Sequence, residues 1–167
     1  ALHYRLQGST LCIEYQARVS GAASPLSFTT HPFFNLNGEP HASVLDHTLQ
    51  INAEQYLPID AQRIPLGHLA PVDDTLFDFR KSCGVGDRLQ MWGDQSNASR
   101  RPGLDHAWAT PNPRAEMKCQ AVLDSAHTGI RMEVWSDAPS IQCYSGGAMD
   151  GSLPRHAGKR GAIYGYS

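Results

Sequence analysis

The chain has no long hydrophobic run. Nowhere in its 167 residues does an apolar stretch approach the roughly 20 residues that a membrane-spanning helix needs. No charged-then-apolar leader opens it. It also lacks an excess of either charge: 14 Lys and Arg stand against 16 Asp and Glu, interspersed, for a formal net charge of −2. Without a basic run or stripe there is no footprint for nucleic acid. Cysteine is sparse. Cys12, Cys83, Cys119 and Cys143 are far apart and form no CxxC pair, so neither a zinc ribbon nor a redox motif is suggested. Three of them, Cys12, Cys119 and Cys143, fall in strand-like runs and read as buried or half-buried free thiols, which suits a reducing compartment. The eight histidines make no HxH, HxxxH or HExxH spacing. Asp46-His47 and Asp105-His106 are adjacent pairs, whose members face opposite ways on a strand, so no metal site is expected. There is no GxSxG, P-loop or GxGxxG, which removes the acyl-transfer and nucleotide motifs. Internal repeats and low-complexity tracts are missing too, and no amphipathic helix is expected anywhere. The sequon Asn97-Ala98-Ser99 carries no weight alone.

What is present is a period of two. Leu11, Ile13, Tyr15, Ala17 and Val19 alternate with Cys12, Glu14, Gln16 and Arg18, which places apolar side chains on one face of a half-buried strand. Leu2, Tyr4 and Leu6 do the same before Gly8-Ser9, so residues 2–19 read as a β-hairpin. A second hairpin is expected from Met117, Cys119, Ala121 and Leu123, a turn at His127-Thr128-Gly129, and Ile130, Met132 and Val134 on the return. Leu49 to Ala53 and Ile141 to Ser145 read as further strands. The connections over 56–74 and 84–103 are rich in Pro and Gly and read as loops or edge segments. Short strands with turn signals between them indicate an all-β fold, an antiparallel sandwich or barrel, in one domain of ordinary size.

Three places can carry chemistry. His31 follows the β-prone run Leu26-Ser27-Phe28-Thr29-Thr30 and precedes Pro32-Phe33-Phe34-Asn35-Leu36. Histidine exchanges a proton near neutrality. Phe33 and Phe34 would point to opposite faces of a continuing strand, one to the core and one to a pocket. The alternative is a strand-end histidine satisfied by a carbonyl. Asp105, in Gly103-Leu104-Asp105-His106-Ala107-Trp108, can accept strong hydrogen bonds from a polyol, or can be an Asx turn leading into a strand. Gln142, in Pro139-Ser140-Ile141-Gln142-Cys143-Tyr144, can offer a donor and an acceptor to a sugar, or be the outward polar residue of an alternating strand.

The order of these motifs along the chain resembles the aldose 1-epimerase (galactose mutarotase) family. His31-Pro32-Phe33-Phe34-Asn35-Leu36 is similar to its H-x-[YF]-[FW]-N-L segment. Val44 to Asp60 is similar to the following strand and loop. Ile64-Pro65-Leu66-Gly67, Pro71-Val72, Thr75 and Phe77-Asp78-Phe79-Arg80 resemble its I-P-x-G … P-V … T-x-F-D-F-R stretch. Gly103 to His106 resembles its G-x-D-H, and Pro139 to Tyr144 its P-x-x-Q-x-Y. The resemblance runs from about Tyr4 to Gly161. It implies a galactose mutarotase-like supersandwich, incomplete here, as a single partial domain over residues 1–167. It implies a free hexose such as glucose or galactose as substrate and no metal or organic cofactor. Carried over by position, His31 would be the general acid at the sugar ring oxygen. Phe33 would lie beside the sugar, and Asp105 and Gln142 would bind its hydroxyls.

Departures from the pattern bound the expectation. Full mutarotases are roughly twice this length, and the chain begins at Ala1, so it is expected to be a fragment, truncated at both ends. The family's general base is a glutamate close to the C-terminus, and no glutamate follows Glu133 here. An arginine and a second histidine from the family's N-terminal half are also missing. Thr30 stands where an asparagine is common. Residues 1–167 alone are therefore expected to show negligible mutarotase activity. A hexose-6-phosphate epimerase would need a basic cluster, for which Arg100-Arg101 is the only candidate. A non-catalytic sugar-binding or regulatory module, or a plain interaction domain on the same fold, would keep Asp105, Gln142 and the aromatics without the base. Cytoplasmic location is the default expectation. The ending Gly158 to Ser167, aromatic to the last turn, resembles a cut through an element.

Overall fold

A computed structural model describes residues 1–38, 43–95, 103–112 and 114–147. Arg100-Arg101, the sequon at Asn97 and the tail from Gly158 lie outside the described residues. The chain divides into two compact units, Ala1–Phe33 and Phe34–Ser167.

The first unit is the expected hairpin. β1 (Leu2–Gln7) pairs antiparallel with β2 (Thr10–Tyr15), Gln7 opposite Thr10. The two-residue loop needs a positive φ at its first position. Gly8, at φ 59°, supplies it without steric cost. Leu6 faces Leu11, Tyr4 faces Ile13 and Leu2 faces Tyr15, so the apolar residues share one face as read, but β1 is exposed along its whole length rather than half-buried. β2 ends at Tyr15, short of the expected Val19. The run Leu26–Thr30 is not a strand. β-branched and aromatic residues favour a strand only where an edge offers them a partner, and this segment pairs with none. Phe28 instead stacks on Tyr15, ring centroids 5.2 Å apart.

The second unit is a sandwich of two four-stranded antiparallel sheets. One has the order β10–β7–β4–β5, from Ser140–Tyr144, Asp105–Ala109, Gln55–Leu57 and Ala70–Pro71. The other has the order β6–β3–β8–β9, from Cys83–Gly84, His47–Ile51, Lys118–Ser125 and Arg131–Ser136. Leu49, Ile51 and Ala121 of one sheet share a single buried cluster with Trp108 of the other, joined by Val72, Phe79, Val85, Leu89 and Leu104. Alternation explains the layer. In β3, His47, Leu49 and Ile51 are buried while Thr48 and Gln50 are less so.

Two expectations are corrected. Residues 84–103 are not all loop: Val85–Gln95 forms helix α1. Val85 and Leu89, one turn apart, are both buried and make an apolar stripe too short to stand out among the glycines of this segment. Gly86 is required there. Its N–H donates to the Leu45 carbonyl at 2.9 Å, and a Cβ would come within 2.8 Å of that oxygen. The second correction concerns β8, where the register shifts between Cys119 and Ala121. The extra residue of this bulge, Gln120, is buried and donates through Nε2 to the Ala138 carbonyl at 2.6 Å. The bulge reverses the alternation. Cys119 therefore pairs with exposed Trp135, while Ala121 pairs with Val134, and the four apolar residues expected on one face divide between two.

Polar clusters tie the ends of these elements. Arg80 reaches Glu54 at 2.6 Å and both Asp73 and Asp78 at 2.7 Å. The hydrogen bonds from Arg80 hold the Asp78 carboxyl down at about 2. His47 is fully buried. Its Nε2 accepts the Leu36 N–H at 3.0 Å and its Nδ1 faces Asp46 Oδ1 at 3.3 Å, so the neutral tautomer with a proton on Nδ1 satisfies both. Asn37 donates to the same Asp46 oxygen at 2.7 Å and accepts from the Ser125 hydroxyl, while Thr128 Oγ1 donates to the Leu36 carbonyl at 2.8 Å. Leu36 and Asn37 are thus sewn to the start of β3 and the β8–β9 turn. His47→Phe, which fills the space but leaves the Leu36 N–H without its acceptor, is expected to cost about 1–3 kcal/mol in urea unfolding; an unchanged midpoint would show the network to be dispensable. No helix among the described residues is long and apolar enough to cross a membrane.

Candidate functional site

The register of β7 with its neighbours decides which side chains share a face. Gln142 lies opposite Ala107, and Tyr144 opposite Asp105. Directly opposed residues point the same way, so Asp105, Ala107, Gln142 and Tyr144 occupy one face. His106, Trp108, Ile141, Cys143 and Tyr56 occupy the other, turned to the core. Burial follows this division along β7, with His106 and Trp108 buried and Asp105, Ala107 and Ala109 partly open.

On the open face Gln142 Nε2 donates to Asp105 Oδ1 at 3.1 Å. The other carboxylate oxygen, Oδ2, accepts from Arg63 Nη1 at 2.6 Å. Arg63 comes from the tight loop between β4 and β5. Asp60 builds that loop: its Oδ1 accepts from the backbone of Gln62 at 2.8 Å and Ile64 at 2.9 Å, and its carbonyl accepts from Arg63 N at 2.9 Å. Polar donors and an acceptor-only carboxylate therefore converge on a half-open strand end.

The core face gives this strand its rigidity. Tyr56 stacks on Phe77 at 4.2 Å, Phe77 lies 4.5 Å from the His106 ring, and Trp108 Nε1 donates to the Phe77 carbonyl at 2.9 Å. Burial pushes His106 down to about 4, and the Arg63 cation adds to that against the opposing pull of Asp105. The Asp105 N–H donates to His106 Nδ1 at 3.2 Å, which needs that nitrogen unprotonated. Burial, reinforced by the charge of Asp105, holds the Cys143 thiol up at about 12, so it stays protonated and is no nucleophile.

His106 sets a sign for pH dependence. Its folded value lies below the unfolded value of about 6.5, so the unfolded chain binds the extra proton first on acidification. The stability it contributes is complete above about 6.5 and is lost as pH falls through that window towards 4. His106→Gln, which cannot titrate, is expected to show a flatter dependence of the denaturant midpoint between pH 7 and 4 than the parent protein. Parallel curves would remove His106 as the cause.

His31 and Phe33 belong to the other unit. Both are exposed, and their rings lie 5.0 Å apart, tilted by 47°.

The aldose 1-epimerase family model matches residues 1–163. The chain belongs to the aldose 1-epimerase family. It is 36% identical to the galactose mutarotase of Homo sapiens over 161 residues, 96% of this chain and 44% of that protein. It is 34% identical to the aldose 1-epimerase of Escherichia coli strain K12 over 155 residues, 92% of this chain and 43% of that protein. Among solved structures, galactose 1-epimerase from Lactobacillus acidophilus NCFM aligns with a TM-score of 0.51 at 28% identity, covering 74% of this chain and 32% of that one. An aldose epimerase homologue from C. elegans aligns with a TM-score of 0.57 at 19% identity, over 77% of this chain and 36% of that one. The chain thus spans less than half the length of the curated relatives it matches.

The structure brings Asp105 and Gln142 together. Sequence reasoning read them as separate motifs 37 positions apart. Arg63 was not singled out, although it directly precedes the Ile64-Pro65-Leu66-Gly67 motif. The signal available for Arg63 was Asp60, an acidic residue able to cap a turn, three positions before it.

Proposed function

We propose that this chain is part of an aldose 1-epimerase acting on free hexoses, interconverting their α and β anomers. The observation that carries the reading is the family match over residues 1–163, within which His31, Phe33, Asp105 and Gln142 all fall at motif positions. The hydrogen-bonded Asp105–Gln142 pair on an open sheet face supports a role for these two in holding sugar hydroxyls. Opening a cyclic hemiacetal requires a proton on the ring oxygen and removal of the proton from the anomeric hydroxyl. His31 donates the first. The C–O bond breaks, the free aldehyde rotates about one carbon–carbon bond, and reclosure returns the proton to histidine and gives the other anomer. Phe33 offers the sugar an apolar face. The base is supplied from outside these 167 residues, since no glutamate follows Glu133. The reading includes a single sandwich domain to which residues 1–167 contribute a part. It also includes a cytoplasmic location, supported by four free cysteines.

The test is polarimetry of freshly dissolved α-D-galactose with the full-length gene product. The expected result is an approach to equilibrium rotation far faster than the spontaneous one; equal rates would end the proposal.

A further inference from the structure

The charge of Asp105 is met by Arg63, and the way Arg63 is held suggests more than a surface ion pair. Its backbone is at φ 65°, in the left-handed region. A side chain there costs energy that glycine, asparagine or aspartate would reduce. The Asp60 turn enforces that conformation with three hydrogen bonds, while the Ile59–Pro65 bridge and the Leu66-to-Pro58 backbone bond, 2.9 Å, close the loop beneath it. The result is to aim a long cation at a carboxylate 42 positions away in sequence. Strain at a position where a smaller residue would serve the fold points to a use for the side chain.

The chemistry of the pair indicates that use. A carboxylate only accepts hydrogen bonds, and a guanidinium only donates, through five N–H groups in a planar fork. A sugar hydroxyl does both. The Arg63 side chain is 48% exposed and that of Asp105 31%. One Nη1 bond to Asp105 engages the guanidinium, and its remaining donors have no partner among the described residues. An acceptor and spare donors stand side by side at a half-open strand end, an arrangement that fits two neighbouring hydroxyls of a pyranose.

We propose that Arg63 is a substrate-binding residue, donating to a sugar hydroxyl oxygen beside the Asp105 carboxylate while fixing that carboxylate in place. The inference rests on the mutarotase reading. Arg63→Gly is the informative variant, because glycine takes the same backbone conformation freely and only the side chain is lost. In the full-length protein assayed by polarimetry on α-D-galactose, KM is expected to rise about tenfold or more, the loss associated with one charged hydrogen bond, with kcat changed less than about threefold. The melting temperature should not fall. Arg63→Lys, which keeps the charge without the fork, should give an intermediate KM. A KM for Arg63→Gly within about twofold of the parent would overturn the proposal, since uniform binding energy appears in KM. So would a lower KM, which would mean that Arg63 competes with substrate for Asp105. A lowered melting temperature with an unaltered KM in Arg63→Lys would make the pair structural and overturn it as well. If the parent protein neither turns over nor binds galactose in calorimetry, the function itself falls; if the parent is active and Arg63→Gly matches it, only the inference does.

Discussion

Replacing His31 with alanine in the full-length protein is expected to lower kcat for galactose mutarotation by about 10²–10⁴-fold, the usual contribution of a positioned general acid. KM should move little, because the proton is transferred in the transition state while the hydroxyl contacts assigned to Asp105 and Gln142 hold the ground state as well. His31 is exposed and its ring lies 5.0 Å from that of Phe33, so the substitution removes no buried packing, and the melting temperature should stay near that of the parent. That separation makes the test sharp. A fall in kcat without a fall in stability assigns chemistry to the imidazole. His31→Gln sharpens it further, since the amide can still donate a hydrogen bond to the ring oxygen but cannot release a proton; it should resemble alanine in kcat. A kcat within about fivefold of the parent in both variants would remove His31 as the acid.

The parts of the fold legible in the sequence are those governed by short-range alternation. The β1–β2 hairpin follows from Leu2, Tyr4, Leu6, Leu11, Ile13 and Tyr15 with a glycine at the turn, and its register is as that pattern requires. β3 and β10 follow in the same way within a residue or two. Features that depend on a distant partner were not legible. The β8 bulge exists because Gln120 finds the Ala138 carbonyl, an acceptor 18 residues on that no local pattern announces. Helix α1 is held by two buried residues and by a backbone approach to Leu45, too little for a periodic signal. Leu26–Thr30 has the composition of a strand and no edge to join. The site divides likewise. Asp105 and Gln142 stood out through their motifs, but their juxtaposition depends on strand register, and Arg63 reaches them from a loop whose shape is set by the side chain of Asp60. The F-D-F-R stretch read as a family signature gains a physical reason: Arg80 gathers Glu54, Asp73 and Asp78, and Phe79 is a fully buried member of the core.

The largest loss of stability is expected at Trp108. Its side chain is wholly buried in the shared cluster between the two sheets, with Phe79 edge-on at 5.9 Å and Phe77 at 6.1 Å. Trp108→Ala should cost about 3–5 kcal/mol, from lost transfer energy and the cavity left where the ring stood. Against a total of about 5–15 kcal/mol for an ordinary domain, that is a large fraction of what holds the protein folded. Trp108→Phe separates the two contributions. The smaller ring retains most of the packing, but the Phe77 carbonyl loses the indole N–H that it accepts at 2.9 Å while keeping the Phe79 N–H at 3.1 Å, a loss of about 0.5–1.5 kcal/mol for one hydrogen bond. Urea unfolding of the full-length protein should therefore rank the parent above Trp108→Phe and Trp108→Phe above Trp108→Ala. A loss below about 1 kcal/mol for the alanine variant would contradict the position of Trp108 at the centre of the core. The consequence reaches the open face, because Trp108 anchors the strand whose first residue is Asp105. Where Trp108→Ala still folds, a loosened β7 should bind galactose more weakly, whereas Trp108→Phe, with the strand still clamped between β10 and β4, should bind it nearly as the parent does.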